Sequence, residues 1–151
     1  MGLVVCKFGG TSVADAEKIR NVAKRLVGLK QAGSDVVAVV SARGNRTDEL
    51  IVLAEQITPD PPKRELDMLV STGEQEAVAL VSMAIHSLGY PAVSLIASQI
   101  GMVTDNAHTK AKLISINTDR IFAELRRGNI VIVAGFQGVD SNLNITTLGR
   151  G

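Results

Sequence analysis

Leu3-Val4-Val5-Cys6-Lys7-Phe8-Gly9-Gly10-Thr11-Ser12 is the stretch on which the fold turns, because a mainly apolar run ends abruptly in paired glycines. It reads as a buried strand entering a tight turn. Beyond the turn, Val13, Ala16, Ile19, Val22, Ala23, Leu26 and Val27 recur at steps of three and four residues, with Asp15 three positions after Ser12. This spacing predicts an amphipathic helix capped by Ser12. Gly33 closes the helix, and Val36-Val37-Ala38-Val39-Val40 follows, apolar at every position, as a strand covered on both faces. Strand, helix and strand make one βαβ unit.

The rest of the chain repeats the theme. Thr47 is placed to cap a second helix whose first turn carries Asp48 and Glu49 and whose apolar stripe is Leu50, Leu53, Ala54 and Ile57. Pro59, Pro61 and Pro62 mark a stiff surface loop. One or two helical turns over residues 65–70 and a longer helix over 73–88, with Ala77, Leu80, Val81, Ala84 and Ile85 inward, come next. Further strands are expected at 92–96, 113–116 and 130–134, a helix over 117–127, and a short strand or hairpin arm at 145–148. The pattern predicts an α/β fold, a mainly parallel sheet between layers of helices, with any ligand at the carboxyl ends of the strands.

Composition removes several functions. Of 151 residues, 16 are Lys or Arg and 15 are Asp or Glu, so a formal net charge of +1 gives no field for a nucleic acid or a membrane surface. Aromatic residues are 3% with no Trp, too few for base-stacking platforms. Cys6, the single cysteine, reads as a small buried thiol in a reducing, cytoplasmic setting. Neither a leader-like start nor a membrane-length apolar segment is expected. His86 and His108 have no acid or thiol at ligand spacing, so no metal site is expected from protein side chains. Met68 and Met83 fall on apolar helical stripes and read as core filling.

Chemistry is expected in the loops that leave the strong strands: Lys7 through Ser12, Ser41-Ala42-Arg43-Gly44-Asn45-Arg46-Thr47, and Gly135-Phe136-Gln137-Gly138. Glycines allow close backbone approach, and amides leading into a helix point at an anion, which favours phosphate. Lys7 precedes the glycines, so this is neither a Walker loop nor a dinucleotide fingerprint. A lysine there can meet the β and γ phosphates of a nucleotide; as bare spacing it reads more readily as a solvated strand-end lysine beside a plain Gly-Gly turn. Ser71-Thr72-Gly73-Glu74 fits a helix capping box, or else Glu74 receives a substrate ammonium in the cleft. Thr47 has the same two readings, cap or substrate hydroxyl.

The string Lys7-Phe8-Gly9-Gly10-Thr11-Ser12-Val13 closely resembles the amino-terminal signature of aspartate kinases, within the amino acid kinase superfamily. Val40-Ser41-Ala42, Thr47-Asp48-Glu49-Leu50, Leu69-Val70-Ser71-Thr72-Gly73-Glu74-Gln75, and Val133-Ala134-Gly135-Phe136-Gln137-Gly138 with Thr146-Thr147-Leu148-Gly149-Arg150-Gly151 agree in order. The resemblance implies a three-layer αβα domain of the carbamate-kinase type, ATP with Mg2+ as donor, and L-aspartate as acceptor. It implies Lys7 as the catalytic residue, with Phe8, Gly9, Gly10 and Ser41 also around the phosphates. Thr47, Glu74, Arg150 and Gly151 would hold the aspartate.

By the same resemblance, residues 1–151 form the amino-terminal, acceptor-binding part of the kinase domain. The nucleotide-binding remainder and the regulatory domains of such enzymes have no counterpart in these 151 residues, so the chain is expected to be inactive alone. A homo-oligomer is compatible with the reading and not specified by it. Two alternatives stay open: another amino acid kinase, acting on N-acetylglutamate or glutamate, and a non-catalytic domain that binds a ligand or a partner chain.

Overall fold

Asp35-Val36-Val37-Ala38-Val39-Val40 has almost no side chain suited to water, so burial on both faces decides where it goes. The computed structural model describes residues 2–149, and makes this segment strand β2 (Asp35–Val40), paired in parallel with β1 (Leu3–Phe8) on one side and β6 (Ile130–Ala134) on the other. The remaining strand of this sheet, β3 (Ala92–Leu95), lies beyond β6, giving the order β1-β2-β6-β3. All its pairings are parallel.

Strand alternation divides the core in two. Val36, Ala38 and Val40 of β2, with Ile130, Ile132 and Ala134 of β6, pack with residues of helices α1 (Ala16–Gln31) and α3 (Lys63–Ser87) on one face. Val37, Val131 and Val133 face the other way, against Leu95, Ile100 and Leu125, the last from helix α4 (Asp119–Arg126). Between β2 and α3 stands helix α2 (Arg46–Ile57). Helices thus flank the parallel sheet on both sides, as the apolar runs predicted.

A second sheet was not foreseen. Strands β4 (Val103–Thr104), β5 (Leu113–Ser115), β7 (Gln137–Val139) and β8 (Ile145–Thr147) form it in the order β5-β4-β7-β8. The strand expected at 113–116 is present as β5, but it runs antiparallel to β4, with Leu113 and Ile114 largely exposed. A short apolar run does not carry the information of which sheet it joins.

Local chemistry corrects several helix boundaries. α3 is one helix of 25 residues through the expected break, because Ser71 and Thr72 donate their hydroxyls to Met68 and Leu69 carbonyls at 2.8 and 2.6 Å inside the helix. Ser71 therefore caps nothing. Asp15, not Ser12, caps α1 by accepting the Lys18 N–H at 2.8 Å, while Ser12 sits in a 3-10 turn, Gly10–Val13. Thr47 lies inside the first turn of α2, preceded by Asn45 at the cap position without a side-chain bond. Met68 and Met83, read as core, are 41% and 64% exposed, because the buried side of α3 belongs to Val70, Ala77, Val78, Val81 and Ile85.

Candidate active site

The register of the parallel sheet sets the site. Phe8 pairs with Val40 and Val40 with Ala134, so β1, β2 and β6 end level and their following loops start side by side. Main-chain bonds tie them: Ser41 donates to the Phe8 carbonyl at 3.2 Å, Gly135 to Val40 at 3.2 Å, and Gly44 to Gly10 at 2.8 Å. Gly10 is needed for that last contact, since a Cβ there would stand 2.8 Å from the Ala42 carbonyl oxygen. Arg43 clamps the second loop, its Nε and Nη2 donating to Glu76 Oε1 at 2.8 and 2.6 Å and its Nη1 to the Ala14 carbonyl at 3.1 Å.

These loops and α3 enclose a cleft of about 320 Å³ whose lining includes Gly10, Ser41, Thr47, Asp48, Glu74, Phe136 and Thr147. Ser41, Thr47 and Glu74, three residues singled out in the sequence, therefore meet. Gly73 makes this possible, because its missing side chain lets α3 approach α2: a Cβ would lie 3.1 Å from Ala42 Cβ and 3.3 Å from Arg46 Cγ. Glu74, the next residue, is buried to 3% exposure. Its Oε2 accepts the Phe136 N–H at 2.7 Å and its Oε1 the Gln137 side-chain amide at 3.3 Å. Burial pushes its carboxyl up to about 7, against the lowering effect of these bonds.

Lys7 stands next door. Phe8 packs into the α1–α3 core, so alternation sends Lys7 to the opposite face of β1. It borders a second depression, of about 340 Å³, together with Ser41, Gly135, Phe136 and Gly149. Ser41 and Phe136 line both hollows, which makes them adjoining. Gly9 has open space beside its backbone. Phe8, by contrast, contributes its side chain to the core, with the Arg25 guanidinium 5.8 Å from its ring centroid. Arg150 and Gly151 lie outside the described residues.

Phe136 and Gln137, from a loop expected to carry chemistry, join the site, and Asp48 and Thr147 do so without having been given a role there. So does Asp67, fully buried behind the cleft, where it accepts from Thr147 Oγ1 at 2.7 Å and shares a hydrogen bond of 2.8 Å with His108 Nδ1. His108 and Asp67 are 41 positions apart, beyond the reach of any local spacing rule. Among the described residues, no group of three or more His, Cys, Asp or Glu side chains is placed to hold a metal ion. None of their helices is long and apolar enough to cross a membrane.

Three level strand ends facing two joined hollows, one with a buried carboxylate and one with a lysine, suit an anion-transfer site. The profile of the amino acid kinase family matches residues 2–151. The chain belongs to the amino acid kinase family. Within this family it is 55% identical over 151 residues to the aspartokinase of Geobacillus stearothermophilus, covering 100% of this chain and 37% of that relative. The crystal structure of aspartate kinase from Synechocystis superposes with a TM-score of 0.82 at 47% identity, over 99% of this chain and 24% of the other. E. coli aspartokinase III in complex with aspartate and ADP gives a TM-score of 0.84 at 23% identity over 99% of this chain and 44% of the other, a likeness of fold. The described amino acid kinase chain thus spans little more than a third of the aspartokinase it matches by sequence.

Proposed function

We propose that this chain is the acceptor-binding part of an aspartate kinase, which transfers the γ-phosphoryl group of ATP to the side-chain carboxylate of L-aspartate and yields 4-phospho-L-aspartate. The observation that carries the reading is the convergence of Ser41, Thr47 and Glu74 on one cleft, with Lys7 bordering the hollow that adjoins it. The sequence likeness to aspartokinases supports the choice of acceptor.

In this reading Glu74 receives the α-ammonium, Thr47 adds a hydroxyl, and Arg150, next to Gly151, grips a carboxylate through two parallel bonds. Lys7 neutralises charge on the phosphoryl group in flight, while Gly9, Gly10 and Ser41 offer amides and a hydroxyl to the phosphates. Phosphoryl transfer asks mainly for alignment and charge stabilisation, so a clamped acceptor beside a lysine is sufficient chemistry for this half of the reaction. Mg2+ would enter as part of MgATP and would supply charge neutralisation at the phosphates. The rest of the polypeptide supplies the nucleotide-binding half, so residues 1–151 alone are inactive. The enzyme serves lysine, threonine and methionine synthesis in the cytoplasm.

The test is acceptor choice by the full-length enzyme. ADP release with MgATP and L-aspartate, N-acetyl-L-glutamate, L-glutamate or carbamate, with acyl phosphate trapped as hydroxamate, is expected to favour L-aspartate. A preference for another acceptor refutes the assignment.

A further inference from the structure

Asp67 and Glu74 sit seven positions apart on α3, roughly two turns, and so point the same way from the helix. Glu74 lines the cleft, whereas Asp67 lies behind its wall with no solvent exposure. Three donors converge on Asp67. Thr147 Oγ1 donates to Oδ1 at 2.7 Å, and the Thr109 N–H lies 3.2 and 3.0 Å from Oδ1 and Oδ2. His108 Nδ1 lies 2.8 Å from Oδ2, and its N–H tautomer at that nitrogen donates to the carboxylate.

An unmatched buried charge is expensive, and packing alone is served better by an apolar side chain. The carboxylate instead fixes two things at once. It holds Thr109 at a φ of 71°, a left-handed backbone that a β-branched residue rarely takes. It also takes the single proton of the Thr147 hydroxyl, and Thr147 is one of the residues that line the cleft with Glu74. With that proton committed, the Thr147 oxygen has only lone pairs left for anything in the cleft.

We propose that Asp67 is a positioning residue for acceptor recognition: by holding the Thr147 hydroxyl it makes Thr147 a hydrogen-bond acceptor for the ammonium group of the substrate, alongside Glu74. The inference rests on the reading of this cleft as the amino-acid pocket. It gives the pocket two acceptors for one ammonium group, one charged and one neutral. The bond also holds the strand that leads through Leu148 and Gly149 to Arg150, and that strand is tied to the Thr109 loop by the Ala111 N–H to the Thr147 carbonyl at 2.9 Å.

The experiment uses the full-length enzyme with Thr147→Val, Thr147→Ser, Asp67→Asn and the Asp67→Asn/Thr147→Val double variant. Thr147→Val is expected to raise KM for L-aspartate about tenfold while KM for MgATP stays within about twofold, and Thr147→Ser to restore most of the loss. Asp67→Asn should raise the same KM, and should add little on top of Thr147→Val. The proposal is overturned if Thr147→Val leaves KM for L-aspartate within about twofold, if both KM values rise together, or if the two substitutions prove additive. Should Asp67→Asn not fold, the Val and Ser pair at 147 decides alone. A wild-type enzyme that does not phosphorylate aspartate removes the functional reading and this inference with it, whereas an active wild type with indifferent variants removes only the inference.

Discussion

Glu74 Oε2 accepts the main-chain N–H of Phe136 at 2.7 Å, so a helix carboxylate is bonded directly to the turn that follows the central strand β6. The two residues are 62 positions apart, and this bond, with Gln137 at the other oxygen, closes the floor of the cleft. A carboxylate so placed is held by the fold while its charge is opposed by burial, and both facts have measurable consequences.

Stability should depend on pH through Glu74. Its carboxyl is raised from 4.5 to about 7, so the native state binds this proton more tightly than the unfolded chain does. The contribution is complete below pH 4.5, declines as pH rises towards 7, and is flat above, amounting to about 3 kcal/mol at most. Urea unfolding at pH 5 and pH 8 should show this slope in the wild type and a much smaller one in Glu74→Gln. Identical slopes would sink the idea.

Acceptor affinity should run the opposite way. A bound ammonium favours the ionised carboxylate, so KM for L-aspartate in the full-length enzyme should rise as pH falls below about 7, with KM for MgATP little changed. Calorimetry in buffers of different ionisation enthalpy should detect proton release on aspartate binding near neutral pH. No proton release there would contradict a carboxyl poised to ionise.

Lys7→Ala should act on turnover. Loss of a group that stabilises the moving phosphoryl charge is expected to lower kcat by 100-fold or more, about 3 kcal/mol, while KM for L-aspartate shifts by less than about threefold. Initial rates with saturating MgATP would measure it. A kcat within about tenfold of wild type would remove Lys7 from the chemistry.

Gly73→Leu tests the close approach of α3 to α2. The new side chain must enter space where Ala42 Cβ and Arg46 Cγ already lie 3.1 and 3.3 Å from a Cβ, at an overpacking cost of about 1–3 kcal/mol. Because Glu74 is the next residue, aspartate affinity should fall as well. Ile132→Ala, in the fully buried centre of β6, serves as the contrast: a loss of about 2–5 kcal/mol with KM for aspartate unchanged at temperatures where the protein is folded. Thermal melts and KM values on the same preparations would separate the two.

Strong periodicity explains what could be read in advance. The all-apolar runs at 36–40 and 130–134 and the helical stripe from Val13 to Val27 each depend on local spacing, and they became β2, β6 and α1 with small shifts at the ends. The meeting of Ser41, Thr47 and Glu74 at one cleft was legible because a parallel sheet gathers its loops at one edge, where α3 brings Glu74 to them. What escaped depends on distant partners. β4 has two residues and β7 three, too short for a period, and they pair at Val103 and Val139 where Gly138 leaves room for the Thr104 side chain. The Asp67–Thr147 bond joins positions 80 apart, and nothing in the neighbourhood of either residue announces it. Ser71 with Glu74 misled for the converse reason: a capping pattern is a local signal, and here the helix continued through it because the hydroxyls found carbonyls one turn back.

α3 is one unbroken rod of 25 residues, rooted by Ile85 in the main core and carrying Asp67, Ser71 and Glu74 towards the cleft. An axial slide or a tilt of such a rod displaces all three together, since no hinge separates them. In the proposed reading, the grip on the amino acid is thereby tied to the seating of a single helix, and a contact made far from the bound molecule on that helix would be felt as a change in how tightly it is held.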